Sequence, residues 1–125
     1  MYLPYTGTEL PTQTYEFICR GCGYGNRSQN WYNYQSSIST ELNRQIDNSY
    51  LTLEEEPDNP HDPNAVKVMV HGEFYGMAGY VGREFTTDVK QILEKCLSYR
   101  VDVRDEVEIG EFNIRLILTY TEREE

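Results

Sequence analysis

The clearest hydrophobic pattern in this sequence is the alternation of apolar and polar positions, which is typical of half-buried β-strands. Val66, Val68 and Val70 share one face of a strand predicted over residues 65–71, with Lys67 and Met69 on the other. Residues 112–120 alternate strictly in the same way. Shorter strands, bounded by glycine and proline, are predicted over residues 15–21, 50–54 and 74–81.

One helix is predicted over residues 86–100, because apolar residues recur there at helical spacing. Thr86 or Thr87 can cap its beginning. The residues of the apolar stripe are Val89, Ile92, Leu93, Cys96 and Leu97. Several short strands with one principal helix predict a mainly β (α+β) fold, a small and partly open antiparallel β-barrel.

The length of 125 residues suits one domain. We expect residues 1–13 to form an extended arm, residues 14–121 the domain, and residues 122–125 an acidic tail. Residues 26–49 form a polar insertion rich in Asn, Gln and Ser that carries Trp31, Tyr32 and Tyr34. The aromatic side chains can pack as a lid over the core, contact a partner or stack on bases. The sequence leaves these three alternatives open.

The charge balance limits how the chain can approach nucleic acid. It carries 21 acidic and 11 basic residues, for a formal net charge of −10. Because the basic residues are scattered singly, we expect no long-range attraction to DNA, and any DNA contact must be local. No long apolar stretch and no signal-peptide pattern is present, so we expect an intracellular, cytoplasmic protein without membrane contact.

The sequence offers weak signals for metal binding and for catalysis. Cys19 and Cys22 form a Cys-x-x-Cys pair, but a structural zinc site needs about four ligands, and Cys96, His61 and His71 form no second pair. We therefore expect free thiols, no metal and no cofactor. No nucleophile is paired with a histidine by a known motif. Alanine at position 65 also excludes the acidic residue that a restriction-type nuclease needs two positions before its lysine, so we expect no enzyme.

The most specific motif is Glu-Pro-Asp-Asn-Pro-His-Asp-Pro-Asn-Ala-Val-Lys-Val at residues 56–68, followed by Gly-Tyr-Val-Gly-Arg-Glu at residues 79–84. This pattern resembles the HIRAN family, whose hallmark is an acidic, proline-rich turn, a strand, a glycine turn and a glycine-aromatic segment that opens a helix. The strong match covers residues 51–84, and the order of elements extends it over residues 15–120.

The resemblance implies an OB-like or SH3-like barrel that binds the 3′ ends of single-stranded DNA without catalysis. A carboxylate such as that of Asp62 can accept a hydrogen bond from a terminal 3′-hydroxyl, an aromatic ring can stack on the last base, and Arg83 can pair with a phosphate. Carried onto the matching positions, the candidate DNA-binding residues are Tyr24, Asn59, His61, Asp62, Tyr80, Arg83 and Phe112.

A second hypothesis belongs to a different class of protein. An acidic, phage-encoded interaction protein that acts as a DNA mimic would bind a basic nucleic-acid enzyme such as a CRISPR nuclease and occupy its DNA groove. The acidic stretches 54–62 and 102–111 favour it. Its candidate partner-binding residues are Glu54, Glu55, Glu56, Trp31, Tyr32 and Tyr34. Neutralising the three glutamates would weaken partner binding under this hypothesis, and would preserve or improve DNA binding under the first.

Overall fold

The computed structural model describes residues 12–34, 50–72, 75–104 and 113–122. Two helices lie in these residues, α1 over residues 27–34 and α2 over Arg83–Lys95. The strands are β1 (Thr12–Arg20), β2 (Tyr50–Glu55), β3 (Val66–His71), β4 (Gly76–Val81), β5 (Cys96–Val103) and β6 (Asn113–Glu122). Neither described helix is long and apolar enough to cross a membrane.

The six strands form a closed antiparallel barrel in the order β1-β4-β3-β2-β5-β6. The ring closes because β6 returns to β1, from Thr12 opposite Thr121 to Arg20 opposite Asn113. The prediction of a small, mainly β barrel with one principal helix is confirmed, and the ring is complete where a partly open one was expected. β1 begins inside the predicted arm, and β6 extends into the predicted tail.

The barrel interior is built by the alternation that the sequence displays. Val66, Val68, Leu116 and Leu118 are fully buried, because one face of each strand points inward and removes apolar surface from water. Val89 brings α2 into the same core, against which Ile92 and Leu93 pack partly buried. The helix therefore covers the barrel with part of the stripe that was predicted for it.

The predicted limits of the helix are wrong at both ends. It begins at Arg83 after Gly82, and no side chain caps it, whereas Thr86 is buried in its first turns. It ends at Lys95, because residues 96–103 form β5, which pairs with β6 and, at Val101 opposite Leu51, with β2. Leu97, which helical spacing assigned to the apolar stripe, is consequently 58% exposed on β5.

The described part of the polar insertion packs against the barrel. The indole N–H of Trp31 donates a hydrogen bond of 2.9 Å to the carbonyl of Ala78, and the ring of Tyr34 meets the indole edge-on at 6.0 Å. Both side chains are buried, whereas Tyr32 is exposed. Of the three alternatives, packing over the core therefore holds for Trp31 and Tyr34. Residues 35–49 lie outside the described chain.

Candidate nucleic-acid interface

The proline-rich turn between β2 and β3 is shaped by its own side chains. The Oδ1 atom of Asn59 accepts hydrogen bonds from the backbone N–H groups of His61 (2.8 Å) and Asp62 (3.0 Å). Asp62 Oδ1 in turn accepts one from the N–H of Asn64 at 3.0 Å. Short Asn and Asp side chains commonly stabilise turns in this way. The local sequence therefore fixes the backbone that presents Asp62 and the exposed His61.

Glu56 joins this turn to β4. Its Oε1 atom accepts hydrogen bonds of 2.8 Å from the Tyr80 hydroxyl and of 2.8 Å from the Asn59 amide, and Lys67 Nζ lies 3.7 Å from Oε2. The bonds from Tyr80 and Asn59 stabilise the carboxylate and lower the pKa of Glu56. Burial and the bond to Glu56 raise the pKa of Tyr80. Two candidate DNA-binding residues are thus held by one carboxylate.

Arg27 connects Tyr80 with Tyr24. The Arg27 guanidinium carbon lies 5.4 Å from the centre of the Tyr80 ring and 5.8 Å from that of Tyr24, within the range of cation–π attraction. Its Nη1 atom donates to the carbonyl of Gly21 at 2.8 Å. Tyr24 is 65% exposed. Sequence reasoning missed Arg27, which appears there only as an isolated cation in a polar segment, three residues after the tyrosine.

A second cationic group lies at the beginning of α2. Arg83 is exposed and its Nε atom lies 3.5 Å from Asp62 Oδ2. The neighbouring Glu84 pairs with Arg20, which lowers the pKa of that carboxyl group. Arg20 stands opposite Tyr80 across β1 and β4. Arg83 therefore borders the turn, and Arg20 borders the tyrosine.

These contacts form one connected chain across the surface of the barrel. Five of the seven predicted DNA-binding residues belong to it, because each touches the next directly or through Arg27 or Glu56. His61 is exposed in the same turn, and Phe112 lies outside the described residues. In the order of their contacts, the residues are Tyr24, Arg27, Tyr80, Glu56, Asn59, Asp62 and Arg83, and we call this set the end site.

The residues of the second hypothesis are not gathered on one face. Each of the three glutamates lies near a different basic side chain: Glu54 near His71 at 4.0 Å, Glu55 near Lys90 at 3.7 Å, and Glu56 near Lys67 at 3.7 Å. Trp31 and Tyr34 belong to the core. Within the described residues, Glu55 and Tyr32 are the members of that set whose residues are exposed.

The Cys-x-x-Cys pair spans the end of β1, and both Sγ atoms lie beside Gly79 of β4. Cys19 and Cys22 are free and buried, with their Sγ atoms 3.3 Å apart. Burial raises the pKa of the Cys19 thiol. In the parts of the chain that the structure describes, no three His, Cys, Asp or Glu residues are placed to hold a metal ion.

The closed six-stranded barrel, with a surface of tyrosine, arginine and carboxylate side chains, defines a small β-barrel module. A family model of the HIRAN domain matches residues 19–112, so the chain belongs to the HIRAN family. The crystal structure of the HIRAN domain of human HLTF has the same fold, with a TM-score of 0.56 at 18% sequence identity over 89% of this chain and 77% of that chain. No curated protein sequence gives a significant match.

Proposed function

We propose that this HIRAN domain is a DNA-binding module whose end site takes the 3′ end of a single strand. Membership of the family suggests DNA binding. The observation that carries the finer proposal is the contact chain from Tyr24 to Arg83, because it brings together residues that lie far apart in the sequence and offer the three groups a strand end needs. Those groups are an aromatic ring, a carboxylate and a cation.

The aromatic part of the end site suits the terminal base. Tyr24 is 65% exposed, so its ring offers area on which a base can stack. Stacking of one base on an aromatic side chain contributes about 1–3 kcal/mol and does not depend on which base it is. Arg27 lies against the rings of Tyr24 and Tyr80 and brings positive charge to a site on an acidic protein.

The carboxylate of Asp62 distinguishes the end of a strand from its interior. It already accepts the N–H of Asn64, and a carboxylate has roughly four positions for hydrogen-bond donors, so it can also accept a terminal 3′-hydroxyl. A 3′-phosphate would instead bring negative charge against Asp62. Arg83, which is exposed beside Asp62, can pair with the phosphate that precedes the terminal sugar.

Fluorescence anisotropy with 5′-labelled oligonucleotides tests the proposal at low salt. We expect a strand with a free 3′-hydroxyl to bind more tightly than the same strand with a 3′-phosphate. Asp62→Asn should reduce this preference, because the amide lacks the negative charge. Arg83→Ala should weaken binding about 10- to 150-fold, the range of a lost charge-assisted hydrogen bond. The strand should also remain intact in the presence of Mg²⁺, as expected of a module without catalytic activity.

Arg100→Ala is the matched control for Arg83→Ala. Arg100 is exposed to a similar degree, 72% against 77% for the two side chains, and also pairs with one aspartate, but it lies on β5 outside the end site. We expect its loss to leave binding unchanged. Equal affinity for the 3′-hydroxyl and 3′-phosphate strands, or equal losses in the two arginine variants, would refute end recognition by these residues.

A further inference from the structure

An open groove of about 450 Å³ adjoins the end site. Tyr24 and Arg27 line one side of it, and Tyr75, Gly76 and Met77 line the other. The groove therefore begins at the ring that we assign to the terminal base and reaches Gly76 and Met77, at the opposite end of β4 from Tyr80. We call it the tyrosine groove.

The floor of the tyrosine groove is fixed by hydrogen bonds between α1 and β4. The Asn30 amide donates to the carbonyl of Met77 at 2.8 Å, one residue before the carbonyl that Trp31 binds. A Cβ atom at Gly76 would lie 2.6 Å from the Asn30 amide nitrogen, so glycine is what allows this close packing. The two sides of the groove are thus held at a set separation before any ligand binds.

Aromatic rings continue beyond the groove at the end of β3 and the beginning of β2. The Tyr75 ring lies 4.9 Å from that of His71, inclined at 66°, and the His71 ring is stacked on Tyr50 at 4.9 Å and 3°. Tyr75 is 65% exposed and Tyr50 52%. Exposed aromatic side chains that follow one path, with polar groups at the rim, mark an interaction surface.

We propose that the tyrosine groove and the Tyr75–His71–Tyr50 rings bind the nucleotides that precede the terminal one on the same DNA strand. This inference rests on the proposed function, because Tyr24 and Arg27 belong both to the end site and to the groove. A strand whose last base stacks on Tyr24 enters the groove with its next nucleotides. Tyrosine rings accept any base, and the Asn30 and Arg27 side chains supply polar groups at its walls.

The dependence of affinity on strand length tests this assignment. We compare oligothymidylates of about two and about eight nucleotides, each with a free 3′-hydroxyl. The short strand occupies the end site, and the long strand occupies the end site and the groove. For wild-type protein we expect the longer strand to bind more tightly. Tyr75→Ala and Tyr50→Ala should each weaken binding of the longer strand about 5- to 150-fold, the range for loss of one stacked base, and leave binding of the short strand unchanged. Tyr75→Phe should retain wild-type affinity because it keeps the ring.

Tyr32→Ala is the matched control, since Tyr32 is also an exposed tyrosine at 57% but does not line the groove. It should bind both lengths as the wild type does, and circular dichroism should show that every variant is folded. If Tyr75→Ala and Tyr50→Ala keep the full advantage of the longer strand, the groove assignment is wrong, while a retained preference for the 3′-hydroxyl would leave the proposed function standing. Absence of that preference in wild-type protein would overturn the proposed function and, with it, the placement of the groove upstream of a 3′ end.

Discussion

Replacing Glu56 by glutamine tests whether its charge holds the end site together. Glutamine keeps the shape of the side chain and one acceptor oxygen. It removes the negative charge of the carboxylate, whose Oε1 atom accepts hydrogen bonds from Tyr80 and Asn59. A hydrogen bond to a charged group contributes about 1.5–3 kcal/mol and one between neutral groups about 0.5–1.5 kcal/mol. With two bonds weakened, we expect the free energy of unfolding at neutral pH to fall by about 1–3 kcal/mol.

The loss should depend on pH with a definite sign. The pKa of Glu56 is lowered in the folded protein, so the carboxylate contributes its full stability above the ordinary glutamate pKa of about 4.3 and loses it as the pH falls through the lowered value. The free energies of unfolding of wild type and Glu56→Gln should therefore differ by a constant amount at pH values above that ordinary pKa. Below it, the two free energies should converge. Glu84, whose pKa is also lowered, is present in both proteins and cancels in the comparison.

Urea denaturation of wild type and Glu56→Gln across this pH range measures the difference. Glu55→Gln is the matched control, because Glu55 is the adjacent residue, is about half exposed and lies 3.7 Å from Lys90 in a partly exposed ion pair. Its replacement should change stability by less than about 1 kcal/mol at any pH. A Glu56→Gln protein as stable as the wild type at neutral pH, or one whose deficit persists unchanged in acid, would refute the reasoning.

Two further predictions concern the barrel that carries the site. Gly79 has a φ of +154° and a Cβ there would lie 2.7 Å from the Arg20 carbonyl oxygen, whereas Gly25 has a φ of +55° and open space around it. In thermal melts we expect Gly79→Ala to lower the free energy of unfolding by about 2–5 kcal/mol and Gly25→Ala by about 1–2 kcal/mol. Equal losses would contradict the close approach of Gly79 to the Arg20 carbonyl. Burial, then the 2.9 Å hydrogen bond to Asp88, raises the pKa of Tyr15 to about 12. Asp88→Asn should lower the pKa of Tyr15, though not to the ordinary value of about 10. Ultraviolet titration measures this pKa, with Tyr15→Phe identifying the signal of Tyr15, and an unchanged pKa would exclude the contribution of Asp88.

The sequence by itself determined the parts of the protein that depend on near neighbours. The alternation in β3 and β6 predicted their buried faces. The proline-rich motif predicted the turn, because Asn59 and Asp62 bond to backbone groups two or three residues away. The same motif, with the glycine-aromatic segment, indicated the HIRAN family, which the family model confirms over residues 19–112.

Only the tertiary structure decided features that depend on distant partners. Cys96 and Leu97 continue the helical spacing of α2, yet they begin β5, because pairing with β6 and β2 satisfies backbone groups that local periodicity cannot take into account. The sequence left open whether Trp31 packs over the core, contacts a partner or stacks on bases. The Ala78 carbonyl, 47 positions away, decides for packing by accepting the indole N–H.

The end site shows the same division. Tyr80 and Arg83 could be named from a local motif, and Tyr24 from its place after the first strand. The sequence also assigned Glu56 to an acidic face and gave Arg27 no role. Closure of the barrel places Glu56 against Tyr80, and packing of α1 places Arg27 beside two tyrosine rings, and neither contact can be read from the linear pattern. A charged side chain acquires its role from the partners that folding brings within a few ångströms, and a linear pattern does not contain those distances.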